Sequence, residues 1–135
     1  MALQFIAVQG MTVMVDPTTP VPPGAVVATI VVLPPTGTKV KAGSALVHRD
    51  GDQITVSVIT VPSVGATIPD PGPYTVALEK TTTKTNAEGI AVLVVNDQSA
   101  TINATPQIPG SPPVDYPVSF KCKISNAGQI KVKAQ

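Results

Sequence analysis

Shifted along itself by forty-five positions, this chain meets its own pattern without a gap. Val31 falls on Val76, Leu33 on Leu78, Thr36 on Thr81, Thr38-Lys39 on Thr83-Lys84 and Ala42 on Ala87. Val47 then meets Val92, Asp52-Gln53 meets Asp97-Gln98, and Thr60 meets Thr105. A period of this length marks one supersecondary block, unable to bury its apolar face alone and dependent on its neighbours for a core. Weaker echoes carry the pattern to both ends. Tyr74-Thr75-Val76-Ala77-Leu78 returns as Tyr116-Pro117-Val118-Ser119-Phe120, and Asn86-Ala87 as Asn126-Ala127. The run from Gly10 to Val15 resembles that from Gly89 to Val94, with Val13 matching Val92, which sets Met14 beside Leu93 and His48. The expectation is a single β domain over residues 1–135 in three pseudo-repeats of about 45 residues. Their bounds are 28–72, 73–115, and a third split between 116–135 and 1–27, and together they close into a compact pseudo-threefold structure.

The residue types say what the units are made of. Val, Ala and Ile dominate, there is no Trp, and fifteen prolines and ten glycines lie mostly between the apolar runs. Proline bars long helices and holds its neighbours extended or turned. No segment keeps a 3.6-residue apolar period with caps. Runs rich in Val, Ile and Thr predict strands over 3–9, 11–15, 25–33, 45–49, 53–60, 74–78, 90–95, 99–104, 118–124 and 129–133. Asp50-Gly51 and Asn96-Asp97, in which Gly51 and Asn96 occupy matching places, predict tight hairpin turns. Proline-rich stretches at 16–24, 62–73 and 106–117, one per unit, predict stiff connections over the surface. The class is all-β.

Charge excludes some functions. Nine basic and eight acidic residues balance to +1, with no basic stripe interleaved with aromatics, so nucleic acid is not the expected partner. Lys121, Lys123, Lys131 and Lys133 alternate with apolar or small residues, the pattern of strands with one wet face and guarded edges. Cys122 is the only cysteine, which excludes an internal disulfide, and it shares a strand face with Phe120 and Ile124, as a buried inert side chain would. The start of the chain carries no positive leader, and no apolar span is long enough for a membrane helix. The expectation is synthesis in the cytoplasm.

Convergent chemistry is scarce. His48 is the only histidine, and no Ser or Cys nucleophile shares a local motif with it, so no enzymatic activity is expected. His48 and Cys122 are weak metal candidates, two ligands where a structural zinc usually takes four. No cofactor is expected, zinc or iron being possible there but without support in the sequence, and replacing either residue by Ala should leave folding and assembly largely unchanged. Asp50-Gly51-Asp52 matches only a fragment of a calcium loop. Asp52 and Asp97 read instead as short acceptors that cap turn amides, repeated because the turn is repeated.

The blocks Gly10-Met11-Thr12-Val13, Gly89-Ile90-Ala91-Val92 and the one-residue-longer Gly43-Ser44-Ala45-Leu46-Val47 carry a resemblance, together with the turns at 49–52 and 95–97. With its three circularly arranged β units, the chain resembles the PAAR-type spike-tip proteins of phage tails and type VI secretion systems. The Pro-Ala-Ala-Arg signature and the three-histidine, one-cysteine zinc set of that family are absent here. The resemblance implies a divergent member whose tip is held by packing. It further implies a structural tip, a monomer in isolation, that caps a trimeric β-helical spike protein, touches the target membrane transiently and is assembled into a virion tail or injection particle. The apolar residues repeated at matching places, Val31, Leu33, Val76, Leu78, Val118 and Phe120, are the candidates for spike docking, with the internal core as their other destination. The competing reading is a capsid decoration protein or an immunoglobulin-like adhesion or binding module.

Overall fold

The computed structural model describes residues 3–18, 26–61 and 69–134; it is all-β, with no helix among them. The strands fall into two sets, a long-stranded body and a group of two-residue ladders.

The body is built on the β-branched runs. Strand β6 (Gln53–Thr60) lies between β3 (Val27–Val32) and β7 (Tyr74–Ala77), antiparallel to both. Ile54 and Val56 point inward, as period-two alternation requires, but Val58 has φ 53° and the register with β3 shifts there. This bulge turns Val58 outward, so that Ile59 and Val61 supply the next buried side chains. Beyond β7, isolated bridges Leu78↔Ser99 and Gln98↔Lys123 carry the pairing onward. There β10 (Ile102–Ala104) meets β13 (Val118–Phe120), and β14 (Cys122–Asn126) meets β2 (Thr12–Val15). Strand β2 lies beside β3, which brings the succession round to its start. The enclosed core holds Phe120, Ile54, Ile59, Leu78, Ile102 and Ile124, each nearly or fully excluded from solvent.

The short ladders form a second layer. Strands β4 (Lys41–Ala42) and β5 (Ala45–Leu46) join through Gly43-Ser44, and β8 (Asn86–Ala87) and β9 (Ile90–Ala91) join through Glu88-Gly89. Both residues of each turn have positive φ, at 59° and 74° and at 52° and 82°, the conformation that matches hairpin twist. The third ladder pairs β1 (Gln4–Phe5) with β15 (Lys133–Ala134), from opposite ends of the chain. Its partners, Gln4↔Ala134 and Phe5↔Lys133, repeat the registers Ala42↔Ala45 with Lys41↔Leu46 and Ala87↔Ile90 with Asn86↔Ala91. Ala42, Ala87 and Ala134 meet in a small core with Ile6, Val8, Val47, Val92 and Val94.

Three extended segments divide the two cores. The Ala7 amide donates to the Leu93 carbonyl (2.8 Å), the Leu93 amide to the His48 carbonyl (3.0 Å), and the His48 amide to the Ala7 carbonyl (2.9 Å), a closed ring of main-chain bonds. Bridges Ile6↔Val94, Val8↔Val47 and Arg49↔Val92 brace it. Side chains alternate across each segment, so Ala7 and Leu93 face the large core while their neighbours Ile6, Val8, Val92 and Val94 face the small one. Each segment runs into a turn closed by an amide three residues on: Met11 to Val8 (2.9 Å), Asp52 to Arg49 (3.0 Å) and Asp97 to Val94 (3.1 Å). The third residue of each turn has positive φ, at Gly10 (98°), Gly51 (91°) and Asn96 (75°), as a type II turn demands.

Several expectations are corrected. Ala7, not Met14, stands with His48 and Leu93, because the N-terminal segment enters the ring seven residues earlier than its likeness to 89–94 suggested. The hairpin reversals lie at Gly43-Ser44 and Glu88-Gly89, while Asp50-Gly51 and Asn96-Asp97 sit in turns that pass the chain from the ring into the body. The strand expected over 118–124 is broken at Lys121 into β13 and β14. Residues 106–117 fold back as a small ladder of β11 (Gln107–Ile108) with β12 (Val114–Asp115), so that stretch is no simple extended connection. Residues 19–24 and 62–68 of the other two proline-rich stretches lie outside the described residues.

Candidate functional site

Polar side chains collect where the ring turns into the body. Asp52 is buried, and its Oδ2 accepts from the Arg49 amide (3.0 Å) and lies 2.8 Å from His48 Nδ1. Its Oδ1 accepts from the Thr36 hydroxyl (2.5 Å). The matching unit repeats this frame. Asp97 Oδ2 accepts from the Val94 amide (3.0 Å), and Oδ1 accepts from the Thr81 hydroxyl. The capping role expected of both aspartates therefore holds, and the threonines aligned by the repeat, Thr36 and Thr81, are their partners. Met11 takes the third place, and there the Val8 amide donates to the Ala127 carbonyl instead (2.9 Å).

The two acids differ in what stands over them. Burial pushes the Asp52 carboxyl up, but His48, Thr36 and the Arg49 amide outweigh it, and the group sits below the ordinary carboxylate value. In the second unit the ring position of His48 is held by Leu93, which offers Asp97 no hydrogen bond. Burial then prevails over the Thr81 and Val94 hydrogen bonds, helped by the charge of Asp50, and Asp97 is shifted upward. Removing an aspartate from water favours its neutral form, and hydrogen bonds to the charged form oppose that.

A second polar tie crosses between neighbouring ladders. The Arg49 guanidinium lies 3.3 Å from Glu88 in the β8–β9 turn, donates to Thr36 Oγ1 (3.1 Å) and approaches the Ala87 carbonyl (3.5 Å). Glu88 also accepts from the Thr38 amide (3.2 Å). Gly37 lies close against this crossing: a Cβ there would come within 2.9 Å of Glu88 Oε2 and 3.2 Å of Arg49 Nε, so those side-chain ends would have to shift. This tie escaped the sequence reading because Arg49 and Glu88 have no charged counterparts at matching positions of the other units.

A third acid joins the proline-rich connections to the body. Asp70 accepts from the Tyr74 hydroxyl (2.5 Å), the Thr105 amide (2.9 Å) and the Gly72 amide (3.0 Å), so one carboxylate fixes two units. Burial pushes the Asp70 carboxyl up, yet these donors bring it below the ordinary carboxylate value, and Asp70 in turn holds the Tyr74 phenol above its own.

The His48 ring is buried and directed at Asp52, with no hydroxyl or thiol bonded to it among the described residues. Cys122 lies within the large core, where burial pushes its thiol up to about 12. His48 and Cys122 are not brought together, and among the described residues no group of three or more His, Cys, Asp or Glu side chains could hold a metal ion. Of the six candidate docking residues, Leu78, Val118 and Phe120 are core, Leu33 and Val76 are half-buried, and only Val31 is exposed, at 53 %. They do not form one accessible patch.

Comparison with known proteins returns no match: no family model fits the sequence, and no curated protein or solved structure is significantly similar.

Proposed function

We propose that this chain is a non-enzymatic structural tip, made in the cytoplasm, which caps the trimeric central spike of a contractile injection machine, a phage tail or a secretion-system relative, and aids membrane piercing. The observation that carries the reading is the main-chain ring of Ala7, His48 and Leu93. Three segments from different parts of the chain donate to one another head to tail, each followed by the same turn, as in a monomer with pseudo-threefold symmetry. The β1–β15 ladder supports the split third unit, since it occupies the place that the hairpins β4–β5 and β8–β9 hold in the others.

Such symmetry suits a single chain to the end of a trimer, because a heterologous contact repeats three times only if the seated surface is nearly the same in three directions. Rigidity is served by β-branched strands and by acids that knit turns to the main chain. Packing takes the place of metal: the small core is closed by three alanines and five branched aliphatic residues.

The test is size-exclusion chromatography of the chain alone and mixed with the trimeric spike protein of the same system. A monomer that shifts into the spike fraction supports the cap. A stable homotrimer indifferent to the spike would instead favour a capsid decoration role.

A further inference from the structure

We infer that the small-core end of the molecule is a contact surface for anionic lipid bilayers. The near-neutral total hides a segregation of charge. Residues 3–5, 39–46, 84–91 and 129–134, which build the three short ladders and their approaches, hold five of the nine basic residues and one of the eight acidic ones, a local balance of +4. The rest of the chain, with four basic and seven acidic residues, carries −3. The five lysines, Lys39, Lys41, Lys84, Lys131 and Lys133, are all exposed, and none is paired with a carboxylate among the described residues. The single acid, Glu88, is already engaged by Arg49.

Apolar side chains stand among these ammonium groups. Leu3, Val40, Ile90, Ile130 and Val132 are exposed, Ile130 to 81 %. The inward side chains Ala42, Ala87 and Ala134 are shared in one small core, so the three ladders surround a common centre and their outward residues form its rim. Lysines on long aliphatic stems with interspersed aliphatic residues suit a phosphate-bearing, apolar-backed surface: charge draws the rim to the headgroups, and the aliphatic groups reach the acyl boundary. A specific protein partner would favour a continuous apolar centre with arginine or aromatic anchors. The exposed rim has lysine as its only base and no exposed aromatic, since Arg49 is half-buried and engaged and Phe5 lies half-buried beneath Lys133, whose Nζ is 4.7 Å from the ring centroid.

The biological setting of this surface rests on the cap reading, in which the end away from the spike meets the target, but lipid binding can be measured without the spike. The experiment is flotation of the full chain with phosphatidylcholine vesicles, with and without phosphatidylglycerol. Binding only to the anionic vesicles, and its loss in about 1 M salt, where the Debye length is about 3 Å, is the expected result. Lys39→Gln, Lys84→Gln and Lys131→Gln, exposed positions whose replacement should not alter the melting temperature, should each weaken binding about fivefold, and together about a hundredfold. Ile130→Ser should weaken binding without changing its salt dependence. No flotation with anionic vesicles, equal binding to both, or loss of spike association in the lysine triple variant would overturn the inference, the last by assigning this end to the spike. Failure to bind the spike with retained anionic flotation would remove the cap reading and leave the lipid surface standing.

Discussion

Asp52 and Asp97 close equivalent turns and accept equivalent bonds from a main-chain amide and a threonine hydroxyl, yet their acidities move in opposite directions. His48 hydrogen-bonds the first, whereas Leu93 holds the matching ring position of the second unit, where burial and the charge of Asp50 prevail.

Opposite shifts give opposite pH effects. Asp52 has a folded-state value below its unfolded one, so its stabilisation is present above pH 3.8 and lost as pH falls through the depressed value. Asp97 has a raised folded value, so its contribution is present below 3.8 and lost as pH rises through that value. Urea denaturation across this range checks both. Asp52→Asn should cost about 1–3 kcal/mol at neutral pH, a deficit that shrinks in acid. Against Asp97→Asn, the wild type should instead gain as the pH falls.

His48 matters more to folding than the sequence suggested, because it is buried against Asp52. His48→Ala removes a bond to a carboxylate and leaves a cavity, for an expected loss of about 2–4 kcal/mol. His48→Leu copies the Leu93 place and should cost less. In that variant the Asp52 carboxyl should titrate above its ordinary value, as Asp97 does, which carboxyl NMR would read directly. An unchanged Asp52 would contradict the assigned cause.

Core and surface separate the repeated apolar residues. Phe120 is the largest fully buried side chain, and Phe120→Ala should cost about 3–5 kcal/mol. Val31→Ser, at an exposed site, should stay within about 0.5 kcal/mol of the wild type. Thermal melts of the two variants distinguish these outcomes.

Cys122 should resist alkylation in the native protein and react only after denaturation, since the thiolate that attacks is suppressed by burial. Mass spectrometry after a thiol reagent, with and without urea, provides the readout.

The β1–β15 pairing makes a further demand. Joining Gln135 to Met1 would leave Gln135, Met1, Ala2 and Leu3 as a four-residue connection between paired Ala134 and Gln4, within the usual span of hairpin loops. A circular permutant closed there and opened between Gly43 and Ser44 should fold with a melting temperature near that of the wild type. A permutant that is soluble but molten would contradict the split third unit.

Much of this architecture was legible in the sequence, for physical reasons. Val31 over Val76, Thr36 over Thr81 and Asp52 over Asp97 were aligned by the repeat, and the last two pairs prove to be turn-capping partners. The all-β class followed from β-branched runs between prolines. What was misread depends on tertiary context. Glu88 adopts φ 52° in a tight turn, a conformation its side chain does not advertise. The register of the N-terminal segment was drawn from Gly10-Met11-Thr12-Val13, whereas Ala7, a residue with no distinctive chemistry, is the one held in the ring. Likewise Arg49 and Glu88 meet only because two ladders share a core, a relation no local pattern encodes.

The most direct measurement of the central claim is native mass spectrometry of the chain with its trimeric spike. One copy bound to three spike chains, with no higher occupancy at excess, is the predicted result. Three copies per trimer would mean that each spike chain holds its own partner, and would contradict a single chain seated on the threefold axis.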